Sequence, residues 1–401
     1  MIPFSPPRID DEICNEVVKT LKSGWITTGP RTKEFEQLIT QYCGNKATIC
    51  LNSATAGLEL MLRWFGVGPR DQVILPAYTY AATANVIFHC GATPVFVDVN
   101  RDDFNISIQA IANAINDQTK VIMPVDFAGL PSSYEEIMGL AVRHKKLFKP
   151  YTPEQEKLGR IMVLSDAAHS FGATFNGSKT GTLCDASVFS FHAVKNLTTA
   201  EGGAVALNLP EPFNNNEVYS ELCIKSLHGQ NKDALAKTQK GNWKYDIVEA
   251  GYKCNMTDIS ATIGLVELRR YDSETLVRRK KIIDAYNVAF AADRRFEIPV
   301  LETGAKRSSF HLYPLRLRNA SEEQRDAVIR EIFNRDVSVN VHFIPVPATT
   351  FYKNLSYDIL DYPVAYDNFQ REISLPVYFD LSDEQVQVVI KAVLAAVDAV
   401  C

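Results

Sequence analysis

Between about residue 47 and residue 207 the chain alternates short apolar, β-branched runs with longer amphipathic stretches, a rhythm met by wrapping a parallel sheet in helices. The runs predict strands at residues 48–51, 72–75, 94–97, 120–125, 160–164, 187–191 and 204–207. Between them, residues 56–65, 107–115 and 133–143 space their apolar side chains by three and four, as crossover helices do. Past about Leu265 the texture changes to a charged helix over 267–292 and then to mixed segments, with strands expected at 309–316 and 338–343. The expected fold class is α/β: a mostly parallel seven-stranded sheet with a smaller C-terminal α+β domain. The division falls into residues 1–266, including an N-terminal arm, and residues 267–401. Residues 145–159 are polar, contain Pro150 and Pro153, and read as a surface excursion.

A net charge of -5 over 401 residues offers no basic field for nucleic acid. The eight cysteines form no Cys-x-x-Cys pair or metal-site spacing. They read as reduced thiols, no metal is expected, and a reducing cytoplasm is the consistent compartment. The first residues lack a secretory pattern, and no stretch approaches the ~20 apolar residues of a membrane span.

In open α/β sheets ligands bind beyond the carboxyl ends of the strands, so the residues following each predicted strand belong together. Asn52-Ser53-Ala54-Thr55-Ala56-Gly57 supplies small residues at a helix start, suited to phosphate. Pro76-Ala77-Tyr78-Thr79-Tyr80 supplies an aromatic face, and Ser165-Asp166-Ala167-Ala168-His169 places a carboxylate where burial demands a cationic partner. Ser190-Phe191-His192-Ala193-Val194-Lys195-Asn196 brings a lysine to the same rim, followed by Glu201-Gly202-Gly203. A lysine to bond an aldehyde, a carboxylate to keep a pyridine nitrogen protonated, a flat ring to cover a face and a helix start for phosphate are the parts that pyridoxal 5'-phosphate (PLP) requires. No Gly-x-Gly-x-x-Gly follows the first strand, which disfavours a dinucleotide-binding dehydrogenase.

These motifs, with Ser23-Gly24-Trp25-Ile26-Thr27-Thr28-Gly29-Pro30 and Gly251-Tyr252-Lys253-Cys254-Asn255-Met256-Thr257-Asp258, resemble the DegT/DnrJ/EryC1/StrS sugar aminotransferases, of the type I (aspartate aminotransferase-like) fold of PLP-dependent transferases. The resemblance covers nearly the whole chain. It implies that Lys195 bonds the cofactor as a Schiff base, Asp166 partners the pyridine nitrogen and Tyr80 stacks on the ring. Ala54, Thr55 and Ser190 would hold the phosphate. His169 would lie near the phenolic oxygen, and His192 would line the cavity. Asn255 would reach the cofactor phosphate of the neighbouring subunit, which implies a homodimer with shared sites. His311, Tyr313 and His342 match segments that border the sugar in relatives.

Within the family the segments 23–30, 190–195 and 251–258 look most like the branch that makes UDP-4-amino-4-deoxy-L-arabinose. The resemblance thus implies ping-pong transfer of the amino group of L-glutamate, leaving 2-oxoglutarate, to a nucleotide-linked keto-sugar at the 4-keto carbon, for surface polysaccharide or lipopolysaccharide. Lys195 would need a neutral amine near pH 7, expected from a cationic neighbourhood and partial burial. Two departures stand out: Ser165 replaces the family's usual Glu, and the 145–159 excursion, longer than usual, could alter the substrate mouth or the dimer surface. The alternatives are a PLP-dependent nucleotide-sugar dehydratase, disfavoured because those enzymes generally carry histidine in place of Lys195, and a cofactor-bound regulatory protein without turnover.

Overall fold

Aliphatic and β-branched runs bounded by turn residues become strands buried on both faces. The computed structural model describes residues 1–232 and 244–400. Its central sheet contains β1 (Ala47–Leu51), β2 (Gln72–Pro76), β3 (Thr93–Val97), β4 (Thr119–Ile122), β5 (Met162–Asp166), β6 (Ala186–Ser190) and β7 (Gly203–Leu207). The spatial order is β1-β7-β6-β5-β4-β2-β3, and β7 alone runs against the others. All seven expected strands form. β5 starts later than expected and ends on Asp166 itself, so the carboxylate belongs to the last residue of the strand.

The helix Ala54–Trp64 is capped by Ser53, whose hydroxyl accepts from the Ala56 N–H at 3.1 Å, and it buries Leu58, Met61 and Leu62. It lies close on the sheet at Gly57, where a Cβ would come within 2.8 Å of Val188 and 3.0 Å of Val205. A second antiparallel sheet of β8 (Phe296–Glu297), β9 (Tyr313–Leu317) and β10 (Glu372–Leu375) follows. No helix among the described residues is long and apolar enough to cross a membrane.

Two expectations need correction, and a third gains detail. The charged helix over 267–292 is two helices, Asp258–Arg269 and Leu276–Phe290, joined by a wider π-helical turn at Tyr271–Thr275, where the Tyr271 hydroxyl is tied to the Phe171 carbonyl at 2.7 Å. Residues 338–343 form no strand: only Asn340 bridges to Ser374, and the His342 N–H turns to the Glu372 carboxylate at 3.0 Å instead of a strand carbonyl. The 145–159 excursion lies at the surface as expected, mostly exposed, and is anchored by Phe148 stacked on Phe65 and by the buried Gln155 donating to the Phe65 carbonyl at 3.0 Å. It meets Asp71 and Lys120 at the amino ends of β2 and β4, the edge opposite the ligand-binding rim, so it does not shape that rim. The N-terminal arm lies on the C-terminal part of the chain: Ile2 bridges to Val337, with its N–H donating to Asp336 at 2.7 Å.

Two of the sequence motifs prove to be one structural unit. Asp258, 1% exposed, accepts from the N–H groups of Gly29, Arg31 and Thr32 at 2.8, 3.1 and 2.9 Å and from the Thr32 hydroxyl at 2.7 Å. A carboxylate from one motif therefore caps the helix Pro30–Cys43 begun by the other, in place of the N-cap side chain that Gly29 lacks. The Asp258→Ala variant should lose about 2 to 4 kcal/mol of stability, read by urea denaturation, because three N–H groups and a hydroxyl lose their acceptor together. Asp258→Asn, which keeps one acceptor oxygen, should lose less.

Candidate active site

The carboxyl ends of β1, β2, β5 and β6 open onto one cavity of about 360 Å³, within the range of small-ligand sites. Lys195, Asp166, His169, His192, Ala54, Thr55, Tyr80, Ser190, His311 and His342 all line it. One residue expected to border the substrate does not. Tyr313 is fully buried in the small sheet, its hydroxyl donating to Asn287 at 2.9 Å and its ring packed on Tyr286 at 5.0 Å. The strand expected from 309 begins only at Tyr313, and Phe310 has a φ of 58°, so His311 and Tyr313 do not share one strand face. Asn255, expected at the neighbouring subunit's cofactor, lies outside this chain's own cavity. Its amide donates to Thr28 at 2.6 Å and its carbonyl accepts from Lys253.

Asp166 ends β5 almost completely buried, and Oδ2 accepts from the Thr83 hydroxyl at 2.7 Å while Oδ1 accepts from the Ala168 N–H at 3.2 Å. Burial raises its pKa, and those two bonds and the field of Lys195 oppose the rise. Among the described residues none forms an ion pair with it. Thr83 was not foreseen. It sits one helical turn past Thr79, with which its hydroxyl bonds at 2.8 Å, so reading the helix after Tyr80 for its inward face would have found it.

Lys195 lies in the loop between β6 and β7. Its neighbour Asn196 fixes that loop by donating to the Ser309 carbonyl at 2.7 Å and holding His311 Nδ1 at 2.8 Å. Burial pushes the Lys195 amine down to about 8, against an upward pull from Asp166. The expected cationic neighbourhood is therefore not the cause, since the charged group acting on the amine is an anion. The surrounding imidazoles are held neutral by their own burial: His169 and His311 well below their usual range, and His342 down to about 3.

At the cofactor's expected phosphate end, the first N–H groups of the helix at Ala54 and Thr55 and the Ser190 side chain meet. Gly203 makes that approach possible, because a Cβ there would lie 2.4 Å from the Ala54 nitrogen. Tyr80 is 64% exposed at the mouth, 5.8 Å from Phe343. His192 is also at the rim, its Nε2 3.6 Å from Glu201, a pair too exposed to fix it strongly. His169 is buried, 4.3 Å from the His311 ring, and its Nδ1 has no hydrogen-bond partner. Phe4 and Ser5 of the N-terminal arm close another side, with the Ser5 hydroxyl donating to the Val194 carbonyl at 3.2 Å. No pattern in the arm's sequence marked them for this position.

The residues fit PLP. A buried carboxylate without an ion-pair partner, an orphaned buried ring nitrogen, a lysine and the first helix N–H groups at Ala54 and Thr55 are what a protonated pyridine, a phenolic oxygen, an aldehyde and a phosphate would satisfy. Among the described residues no group of side chains could hold a metal ion.

Comparison with known proteins agrees. The spore coat polysaccharide biosynthesis protein SpsC of Bacillus subtilis is 34% identical over 398 residues, covering 98% of this chain and 96% of its own. Spr1654 of Streptococcus pneumoniae, assigned as a sugar aminotransferase, superposes in its PMP form with a TM-score of 0.97 at 47% identity over 100% of both chains, and it is also known in a PLP form. PseC of Helicobacter pylori, an aminotransferase of pseudoaminic acid biosynthesis, superposes with a TM-score of 0.87 at 28% identity over 99% of each chain. Matched by its family profile from residue 7 to residue 394, the chain belongs to the DegT/DnrJ/EryC1/StrS aminotransferase family of PLP-dependent enzymes.

Proposed function

We propose that this enzyme takes the amino group of L-glutamate, releasing 2-oxoglutarate, and delivers it to the 4-keto carbon of a nucleotide-linked sugar in cytoplasmic assembly of surface polysaccharide. The observation that carries the reading is the meeting of Lys195, Asp166 and the helix start at Ala54 and Thr55 in one cavity. The sugar as acceptor draws support from the relatives, one a spore coat polysaccharide protein and another an enzyme of pseudoaminic acid biosynthesis. Residues 1–266 form the cofactor-binding unit in this reading, and residues 267–401 the smaller unit that brings His311 and His342 to the acceptor.

Bound PLP supplies an aldehyde that exchanges amino groups and a ring that accepts the electron pair left at the reacting carbon. Lys195 Nζ would anchor the aldehyde end and, when its amine is free, would be the base that takes up and returns the proton moved in the exchange. Asp166 would hold the proton on the ring nitrogen, and Thr83 and Ala168 hold its carboxyl in place and oppose the rise in pKa that burial causes. Ala54, Thr55 and Ser190 would hold the phosphate, Tyr80 would cover the ring, and His169 would meet the phenolic oxygen. His192 stands at the rim where substrate enters. Asn255 lies outside its own chain's cavity, and in a homodimer it reaches the phosphate of the partner's cofactor.

Replacing Lys195 by Ala should remove the cofactor's characteristic absorbance shift and slow the half-reaction with glutamate by at least ~1000-fold. Turnover near the wild-type rate would sink the assignment. An amine attacks an aldehyde only when neutral, and its neutral fraction grows with pH up to its pKa and levels off above. PLP capture by the apoprotein should therefore accelerate with rising pH and level off above about 8. In Asp166→Asn the anion that supports the ammonium is gone, so the plateau should begin at lower pH, as stopped-flow absorbance would report. Nucleotide-linked 4-keto and 3-keto sugars, incubated with enzyme and glutamate and followed by mass spectrometry and NMR, should yield the 4-amino product. A preference for the 3-keto compound would refute the proposed position.

A further inference from the structure

A line of polar groups leads away from the cavity wall at His342. The Nδ1 of His342 lies 2.9 Å from the Ser374 hydroxyl, which donates a short bond to Glu372 Oε1. The other carboxylate oxygen accepts from the His342 backbone N–H at 3.0 Å, so Glu372 holds this residue once directly and once through serine. Glu372 and Ser374 sit two residues apart on one face of β10, both fully buried and outside the cavity. The His342 ring is fixed from the other side by Phe4, stacked at 5.4 Å. Its second nitrogen, Nε2, has no partner among the described residues.

A serine hydroxyl has one proton, so it can donate to only one of these neighbours at a time. With Glu372 ionised, that proton goes to the carboxylate. Ser374 then accepts from a protonated Nδ1, and Nε2 is left as a bare acceptor. With Glu372 protonated, the carboxyl donates to Ser374, the serine proton turns to Nδ1, and Nε2 carries an N–H. We propose that Glu372 and Ser374 are positioning residues for His342, and that they decide whether it offers the acceptor substrate a hydrogen-bond donor or an acceptor.

The surrounding charges suit this role. Burial lifts the Glu372 carboxyl to about 8, against the opposing pull of Ser374, the His342 N–H, Arg325 and Arg316. Tyr78 also faces Glu372, and its hydroxyl donates to the His342 carbonyl at 2.7 Å. His342 is kept neutral by its own burial and by the charge of Lys195, and a charge on it would lower the pKa of His169 and His311. A neutral ring with two tautomers, coupled to a carboxyl that titrates near neutrality, changes its hydrogen-bonding sense without changing its charge.

The effect on turnover rests on the function proposed above, whereas the tautomer is a property of the protein that can be read directly. In the ¹⁵N-histidine-labelled holoenzyme, with the His342 signals assigned through His342→Gln, the ring should carry its proton on Nε2 below about pH 8 and on Nδ1 above it. Ser374→Thr should keep the exchange, whereas Ser374→Ala and Glu372→Gln should hold one tautomer from pH ~6 to ~10. For kcat/KM with the keto-sugar, Ser374→Ala should lose about tenfold while the glutamate half-reaction stays within about twofold. A single tautomer throughout in the wild type, an exchange that persists in Ser374→Ala, or an unchanged kcat/KM in that variant would each overturn the proposal. An intact exchange in an enzyme that aminates no keto-sugar would overturn the proposed function instead.

Discussion

Taking a carboxylate out of water costs several kcal/mol unless its charge is answered, and Asp166 is taken out of water at the floor of the cavity. Its neighbours answer only in part: a threonine hydroxyl, a backbone N–H and the field of Lys195. Lys195 is in the converse position, since burial disfavours its ammonium and Asp166 supports it. Neither charge is at ease alone, and neither is tied to the other by an ion pair. A ligand with a cationic ring nitrogen at one end and an aldehyde at the other satisfies both at once, so the cost of preforming the site is recovered on binding.

That arrangement depends on strand order. β5 and β6 are parallel neighbours, with Asp166 opposite Val188, and this places the end of β5 beside the strand that leads to Lys195. β7 then returns antiparallel to β6, with Ser190 opposite Gly203, so the lysine loop is closed by a ladder on either side of its mouth. Gly203 in turn lets the helix start at Ala54 approach. One reversal in an otherwise parallel sheet thus brings lysine, carboxylate and phosphate cradle to the same edge.

The parts of this design carried by local pattern were legible in the sequence. Strands buried on both faces are continuous aliphatic runs, so Asp166 and Ser190 at their ends are found to within two positions. What was missed depends on contacts between distant segments. Thr83 matters only because its helix faces the end of β5. Phe4 matters because the arm crosses to Val337. Residues 338–343 look like a strand by composition, yet a buried carboxylate captures the N–H that a ladder would need. Tyr313 illustrates the reverse error. Alternation would have put it beside His311, but the backbone turns at Phe310 and alternation no longer applies.

The neutrality of the cavity's inner histidines is the last constraint. Lys195 is the one lysine or arginine lining the cavity among the described residues, and His169, His311 and His342 are kept uncharged by burial. Were these rings cationic, they would compete for Asp166 and drive the Lys195 amine to a still lower pKa, leaving it a weaker base. Kept neutral, they can hydrogen-bond a polar substrate without disturbing the one amine and one carboxylate whose balance the chemistry needs. The polar contacts that fix them, Asn196 for His311 and Ser374 for His342, reach away from the cavity, so their orientation is set before any ligand arrives.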